Sequence, residues 1–326
     1  MKERIEWIDI AKGIGILAII AGHFGCPEIN RVVFPWHVPM FYFIAGFFLS
    51  SNGNWWSFVT RKAKAQLIPY VLSGLSVVVI GAVLNREYNN QASISTGIIA
   101  LLYGAGSPAK FLFEDVIPIG CIWFFQALFW GLLITRIAIR FSVRIGILFC
   151  FTISCLCWFS AKWIWLPVNI QSGGAACLAI YMGYLCYNQT SFMRRFNKWL
   201  ILIGVIAFIF MIFWGRLLCC VNCSGSFISY IGSLFVSYPI LVLCYRLDKF
   251  PHMSFLRFIG RNSALFLCFH LFELTFIPWR HLLCKVSLLI DCGTLPCRVT
   301  IPLVFVLKVL FSRSCKTPIR DFAGVA

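Results

Sequence analysis

Negative charge is what this chain has least of: 11 Asp and Glu stand against 28 Lys and Arg, and only 12% of its 326 residues are charged. A soluble domain carries about 25%, so a chain wetted over its whole surface is excluded. A hydrophobic content of 60% and a mean hydropathy of +0.87 predict an all-α polytopic membrane protein. No polar stretch is long enough to hold a separate soluble core, which predicts a single transmembrane domain over 1–326. No internal repeat is visible, so the sequence mark of a transporter built from inverted repeats is absent. There is no RNP-like motif and no basic helix with interleaved aromatics outside the apolar spans, so the net charge of +17 does not signal nucleic acid. It fits cytoplasmic loops, where basic residues gather. No small-x-small cleavage site follows the first apolar segment, which is expected to stay as the first spanning helix.

Cysteine, by contrast, is plentiful, at 16. Many lie inside apolar runs (Cys150, Cys155, Cys157, Cys177, Cys186, Cys244, Cys268), where the thiol behaves as a small hydrophobe. The run CCVNC at 219–223 and Cys292 with Cys297 fall in short loops, where pairing stays open. No His or acidic residue stands beside the C-x-x-C, so no metal site is expected.

Apolar runs bounded by charged or Pro/Gly-rich breaks give ten candidate spans: 7–25, 34–51, 66–84, 118–138, 144–160, 171–188, 199–215, 226–246, 262–283 and 298–312. Segment 94–113, broken by Gly104, Gly106 and Pro108, reads as interfacial or re-entrant. With the N-terminus in the cytoplasm and strict alternation, 18 of the 28 basic residues fall inside, 8 outside and 2 within spans. The positive-inside rule therefore predicts about ten transmembrane helices with both termini cytoplasmic.

The chemistry concentrates in a few stretches. In WIDIAKGIGILAIIAGH, 7–23, the helical period puts Asp9, Lys12 and His23 on one face. Asp9 and Lys12 alone fit a snorkelling pair at the interface as well as a functional one. With His23 on the same stripe, a polar cavity inside the protein is the better reading, since ionisable groups in a span are costly. In FPWHVPMFYFIAGFF, 34–48, His37 lies across a short outer loop from His23. Two imidazoles near one membrane face suit acid–base work, and Ala45 and Gly46 allow close helix approach. Arg61, Lys62 and Lys64 form a cytoplasmic cluster before the third span. They serve either topology alone or the phosphates of a cytosolic donor. In IGRNSALFLCFHLFE, 259–273, Ser263 and His270 share a face, Glu273 follows one turn on, and Asn262 and Ser263 stand where a helix is capped. Trp123 and Gln126 mark an aromatic helix in which a lone Gln binds a ligand or joins helices.

Taken in order over about residues 4–270, these stretches, with RKAKAQLIPY, WFFQALF and FPWHVPMFYFIAGFFLS, resemble the acyltransferase 3 family of integral-membrane acyltransferases. The resemblance is to the sugar O-acetyltransferase, fucose 4-O-acetylase-like branch. The family signature, a basic residue, ten residues and His, is Lys12-x10-His23 here, with Lys where many members have Arg. The tail SRSCKTPIRDFAGVA departs from the family pattern. The resemblance implies an O-acetyltransferase of the bacterial inner (plasma) membrane that moves acetyl from acetyl-CoA to a sugar hydroxyl of a surface polysaccharide or its lipid-linked precursor. It implies His23 as catalytic base or acyl acceptor and Lys12 as its partner; the shared stripe on the first helix adds Asp9 as the group that fixes Lys12 electrostatically. Lys12 with Arg61, Lys62 and Lys64 would meet the donor phosphates. His37, Trp123, Gln126, Asn262, Ser263, His270 and Glu273 would serve the substrates. Acetyl-CoA is expected as a donor substrate rather than a resident cofactor, with no metal. The alternatives are a transporter or flippase of a small solute or lipid-linked glycan without acyl transfer, and a non-enzymatic membrane partner. A transporter predicts paired helix breaks at midplane, and a mere interaction protein predicts no polar stripe inside the spans.

Overall fold

Apolar runs in such a chain fold as helices because backbone groups kept from water must be satisfied within the segment. The computed structural model describes residues 5–23, 27–84, 94–111, 114–188, 197–213 and 227–277. In chain order these form α1 (Glu6–Gly22), α2 (Pro27–Val33), α3 (His37–Phe47), α4 (Trp55–Val83) and α5 (Ile94–Tyr103). A hairpin of β1 (Ala109–Phe111) and β2 (Glu114–Val116) follows, antiparallel with Ala109 opposite Val116. The remaining helices are α6 (Trp123–Ala138), α7 (Val143–Ser160), α8 (Ile170–Asn188), α9 (Lys198–Phe213), α10 (Phe227–Leu247), α11 (Ser254–Arg261) and α12 (Ser263–Phe276).

Each of the first nine expected spans contains a helix. By length and composition α4, α7 and α10 are long and apolar enough to cross a membrane, while α5, α6, α9 and α12 are shorter apolar helices. The tenth expected span, the CCVNC stretch, Cys292, Cys297 and the tail lie outside the described residues. The described cysteines are free thiols, buried or half-buried among apolar side chains, as small hydrophobes should be.

Two boundaries moved for clear reasons. The second span was expected from 34, but α3 starts at His37, because Pro35 has no N–H to give and Pro39 suits a first turn. The third was expected from 66, but α4 starts at Trp55, where the Asn54 side chain caps the helix by accepting the Ser57 N–H at 3.1 Å. Arg61, Lys62 and Lys64 therefore stand on a helix whose faces separate them, rather than in a loop.

The path of residues 94–111, expected as an interfacial or re-entrant segment, turns back on itself for a visible reason. Gly97 packs on Val78 and Gly74 on Leu101, so α5 runs back alongside the far half of α4. The Tyr70 hydroxyl donates to the Leu101 carbonyl at 2.5 Å. The chain then reverses at Gly104, whose φ of +62° is open to glycine, and returns through the hairpin until Ile122 again lies beside Gly74.

Helix α8 is the hub, packed against α3, α6 and α7. Its run SGGAACLA keeps the packing face small, and Ala175, Ala176 and Ala179 are fully buried. The crossing with α3 is closest where Gly46 meets the Ile180 carbonyl and Gly183 meets the Phe43 carbonyl. A Cβ at either glycine would strike the partner's backbone, which cannot swing aside as a side chain can. Gly183→Val should therefore cost about 1–3 kcal/mol, read as a Tm lower by several degrees in detergent. An unchanged Tm would mean the two helices do not touch here.

The short α11 lies along the first half of α1, with Leu256 backbone against Gly13 and Gly260 against the Asp9 carbonyl. Asn262 ends α11: its side-chain amide donates to the Phe258 carbonyl at 2.9 Å. The side-chain cap expected at the start of α12 from Asn262 is not made, because that amide is committed to the helix before.

Candidate active site

Helix α1 sets the scale of the site. Lys12 and His23 are eleven residues apart, about 16 Å along the axis at 1.5 Å per residue. Two clusters of polar side chains form, one at each of these positions.

At the far end His23 closes α1, its N–H bonded to the Ile20 carbonyl at 3.2 Å. Its ring Nδ1 lies 2.8 Å from the Ile19 carbonyl. A carbonyl only accepts, so Nδ1 carries the proton, and in the neutral form of the ring the lone pair is on Nε2. The side chain is exposed and lines a cavity of about 350 Å³ together with Phe34, His37, Ser107, Trp123, Phe124 and Thr275, among others. His37, buried at the start of α3, donates its Nδ1–H to the Val33 carbonyl at 2.8 Å and packs 5.4 Å from the Phe34 ring. His270, buried on α12, meets the His23 ring at a centroid distance of 4.9 Å and an interplanar angle of 76°. Its Nδ1 is 3.0 Å from the Glu273 carboxylate, which is one helical turn away. Trp123 opens α6 at the same cavity, and the Asn169 amide fixes that turn by donating to the Trp123 carbonyl at 2.8 Å. The re-entrant return supplies Ser107 and the run Pro118–Phe124 as the opposite wall.

At the near end Asp9 is buried, and its Oδ2 lies 3.4 Å from Arg261 Nε. Arg257 bridges Glu6 at 3.1 Å and Asp248 at 2.7 Å, completing a charge network that ties α11 to α1. Lys12 is half-buried with Nζ 5.9 Å from the Phe48 centroid. Of the three basic residues on α4 only Lys62 turns inward: it is 5% exposed, while Arg61 and Lys64 face out. The Lys62 ammonium sits 5.8 Å from the Phe58 ring and feels the charges of Arg61 and Lys12. Among the described residues it makes no salt bridge. Arg136, buried on α6, covers the same Phe58 ring at 4.1 Å and donates to the Asn52 and Gly53 carbonyls at 3.1 and 2.9 Å. Arg140, one turn on, lies 5.8 Å from Trp55. The result is a basic lobe of Lys12, Lys62, Arg136 and Arg140 faced with aromatic rings.

The tertiary structure thus brings His23, His37, Trp123, His270 and Glu273 together, and Lys12 with Lys62. Asn262 and Ser263 sit at the α11–α12 junction beside Arg261, away from the cavity lining. Gln126 is buried one turn below Trp123 against Gly104, where it packs α6 on the re-entrant turn. Arg261 and Arg136 are partners that pattern reading missed. Arg136, at the end of the span expected over 118–138, was counted with the basic residues of the cytoplasmic side and so gave no separate signal. Among the described residues no three His, Cys, Asp or Glu side chains converge to hold a metal ion.

A family model described as an acyltransferase domain matches residues 5–312 of the chain. No curated protein and no solved structure gives a significant match.

Proposed function

Because the chain belongs to the acyltransferase 3 family, whose membrane-embedded members transfer acyl groups, we propose that it moves acetyl from acetyl-CoA to a sugar hydroxyl of a surface polysaccharide or its lipid-linked precursor. The observation that carries this reading is the state of His23. Its Nδ1–H is held by the Ile19 carbonyl and its ring stands exposed at the cavity wall. A base must offer a lone pair within reach of the proton it takes, and Nε2 is the atom so offered. The cavity volume suits one sugar ring, with Phe34, Trp123 and Phe124 for its apolar face and Ser107 and Thr275 for its hydroxyls.

The donor enters from the other lobe. Its phosphates meet Lys62 and Lys12, and Arg61 and Lys64 add charge at the surface. Its pantetheine arm follows α1 toward His23. In the transfer step the acceptor hydroxyl gives its proton to His23 Nε2 as its oxygen bonds to the thioester carbonyl carbon. The carbon–sulfur bond then breaks, and the departing CoA thiolate takes the proton back from His23. His37, lining the same cavity, orients the acceptor, and Asp9, through Arg261, holds the first turn of α1 in register. The acceptor hydroxyl and the membrane of residence, a bacterial inner membrane, belong to this proposal.

The test is direct. Membranes containing the protein, given acetyl-CoA labelled in the acetyl group, should pass label to glycan, and surface polysaccharide from cells with the protein should be heavier by one acetyl per modified unit. Label that stays on CoA, with polysaccharide masses identical in cells with and without the protein, would overturn the reading.

A further inference from the structure

We propose that His270 and Glu273 are positioning residues for His23: a carboxylate-backed imidazole set edge to face against the reactive ring. This rests on the reading of His23 as the acid–base imidazole, and it assigns His270 to His23 rather than to the sugar.

Three helical features converge to make the arrangement. His23 is fixed at the end of α1 by its own backbone and by the Ile19 carbonyl. His270 and Glu273 stand one turn apart on α12, with the carboxylate 3.0 Å from Nδ1. That hydrogen bond makes Nδ1 the donor and fixes the ring plane of His270. The two imidazoles then meet at 4.9 Å and 76°, the geometry in which a positive ring edge faces a negative ring face. Glu273 is 11% exposed and His270 2%, so the negative charge lies in poorly hydrated surroundings where its field is weakly screened.

The consequence appears when His23 gains a proton. A positive charge forms on the ring at the cavity wall, and groups already aimed at it stabilise it without reorganising. The carboxylate of Glu273 supplies the opposite charge, and the His270 ring, between them, transmits it and blocks rotation of His23. No bond to His23 is exchanged, so the pair does not handle the substrate proton. Among the described residues, the other ionisable side chains lining the cavity are His37, which is tied to the Val33 carbonyl, and Cys121, whose thiol faces the Leu267 carbonyl.

The experiment reads His23 directly and needs no turnover. Full-length protein in detergent is treated with diethyl pyrocarbonate at pH 8, and modification of each His is followed by peptide mass spectrometry. Exposed His252 is the internal reference for the labelling rate. In Glu273→Gln and in His270→Gln the labelling rate of His23 relative to His252 should fall several-fold, with Glu273→Asp recovering part of it. In the acetyl-transfer assay Glu273→Gln should lower kcat about tenfold and leave both KM values within twofold. An unchanged His23 labelling rate in both variants would overturn the proposal. So would a raised acceptor KM with kcat intact, which would make His270 a sugar contact. If labelling depends on Glu273 while His23→Ala still transfers acetyl, the coupling stands and the assignment of His23 as base falls.

Discussion

His23→Ala is expected to abolish acetyl transfer, by at least 10²–10⁴-fold, the usual contribution of a positioned general base, while the protein is made and inserted as before. The side chain is exposed at the end of α1; among the described residues its ring bonds to the carbonyl of its own last turn and meets His270 edge to face. Removing it takes away little packing, so loss of activity with unchanged Tm reads chemistry rather than folding. His23→Gln keeps a polar group of similar reach but not one that shuttles a proton near neutral pH. It should be as inactive as the alanine variant. Transfer at wild-type rate in either variant would remove His23 from the mechanism.

Lys62→Met is expected to weaken use of acetyl-CoA about 10- to 100-fold in kcat/KM, mainly through KM, the loss that goes with one hydrogen bond to a charged group, about 1.5–3 kcal/mol. The direction of the stability change makes the prediction sharp. Lys62 is buried beside the charges of Arg61 and Lys12, and among the described residues it makes no salt bridge. Burying a cation among cations is unfavourable, and replacing it with an apolar side chain of similar volume is neutral or stabilising. A Tm equal to or above wild type, together with a raised KM, is the signature of a residue kept for an anionic ligand. Acetyl-pantetheine lacks the nucleotide phosphates, and its use should be unaffected by the substitution. Equal losses with both donors would place Lys62 in the fold instead of the donor site.

Much of this site could be read along the chain, because its chemistry is expensive in lipid. Asp9, Lys12 and His23 stand out in an apolar run, and the helical period already places Lys12 and His23 at two ends of one helix. The small residues Ala45 and Gly46 foretold a close helix contact, and Gly104, Gly106 and Pro108 foretold a break after α5, where the chain reverses at Gly104. Local pattern could not say which partner each charge takes. Asp9 faces Arg261, which is remote in sequence and arrives only because α11 packs on α1 through Gly13 and Gly260. Lys62 was one of three equivalent bases until the Asn54 cap extended α4 and turned one of them inward.

The sequence by itself determined that this is a helical membrane protein and that ionisable groups gather on α1, because period, hydropathy and the cost of buried charge act locally. Only the tertiary structure decided that His270, bonded to Glu273, packs against His23 while Asn262, Ser263 and Gln126 stand apart. Which side chains meet depends on how helices distant in the chain cross. Those crossings are set by backbone contacts at Gly46, Gly183 and Gly260, a property of pairs of segments that no single segment carries.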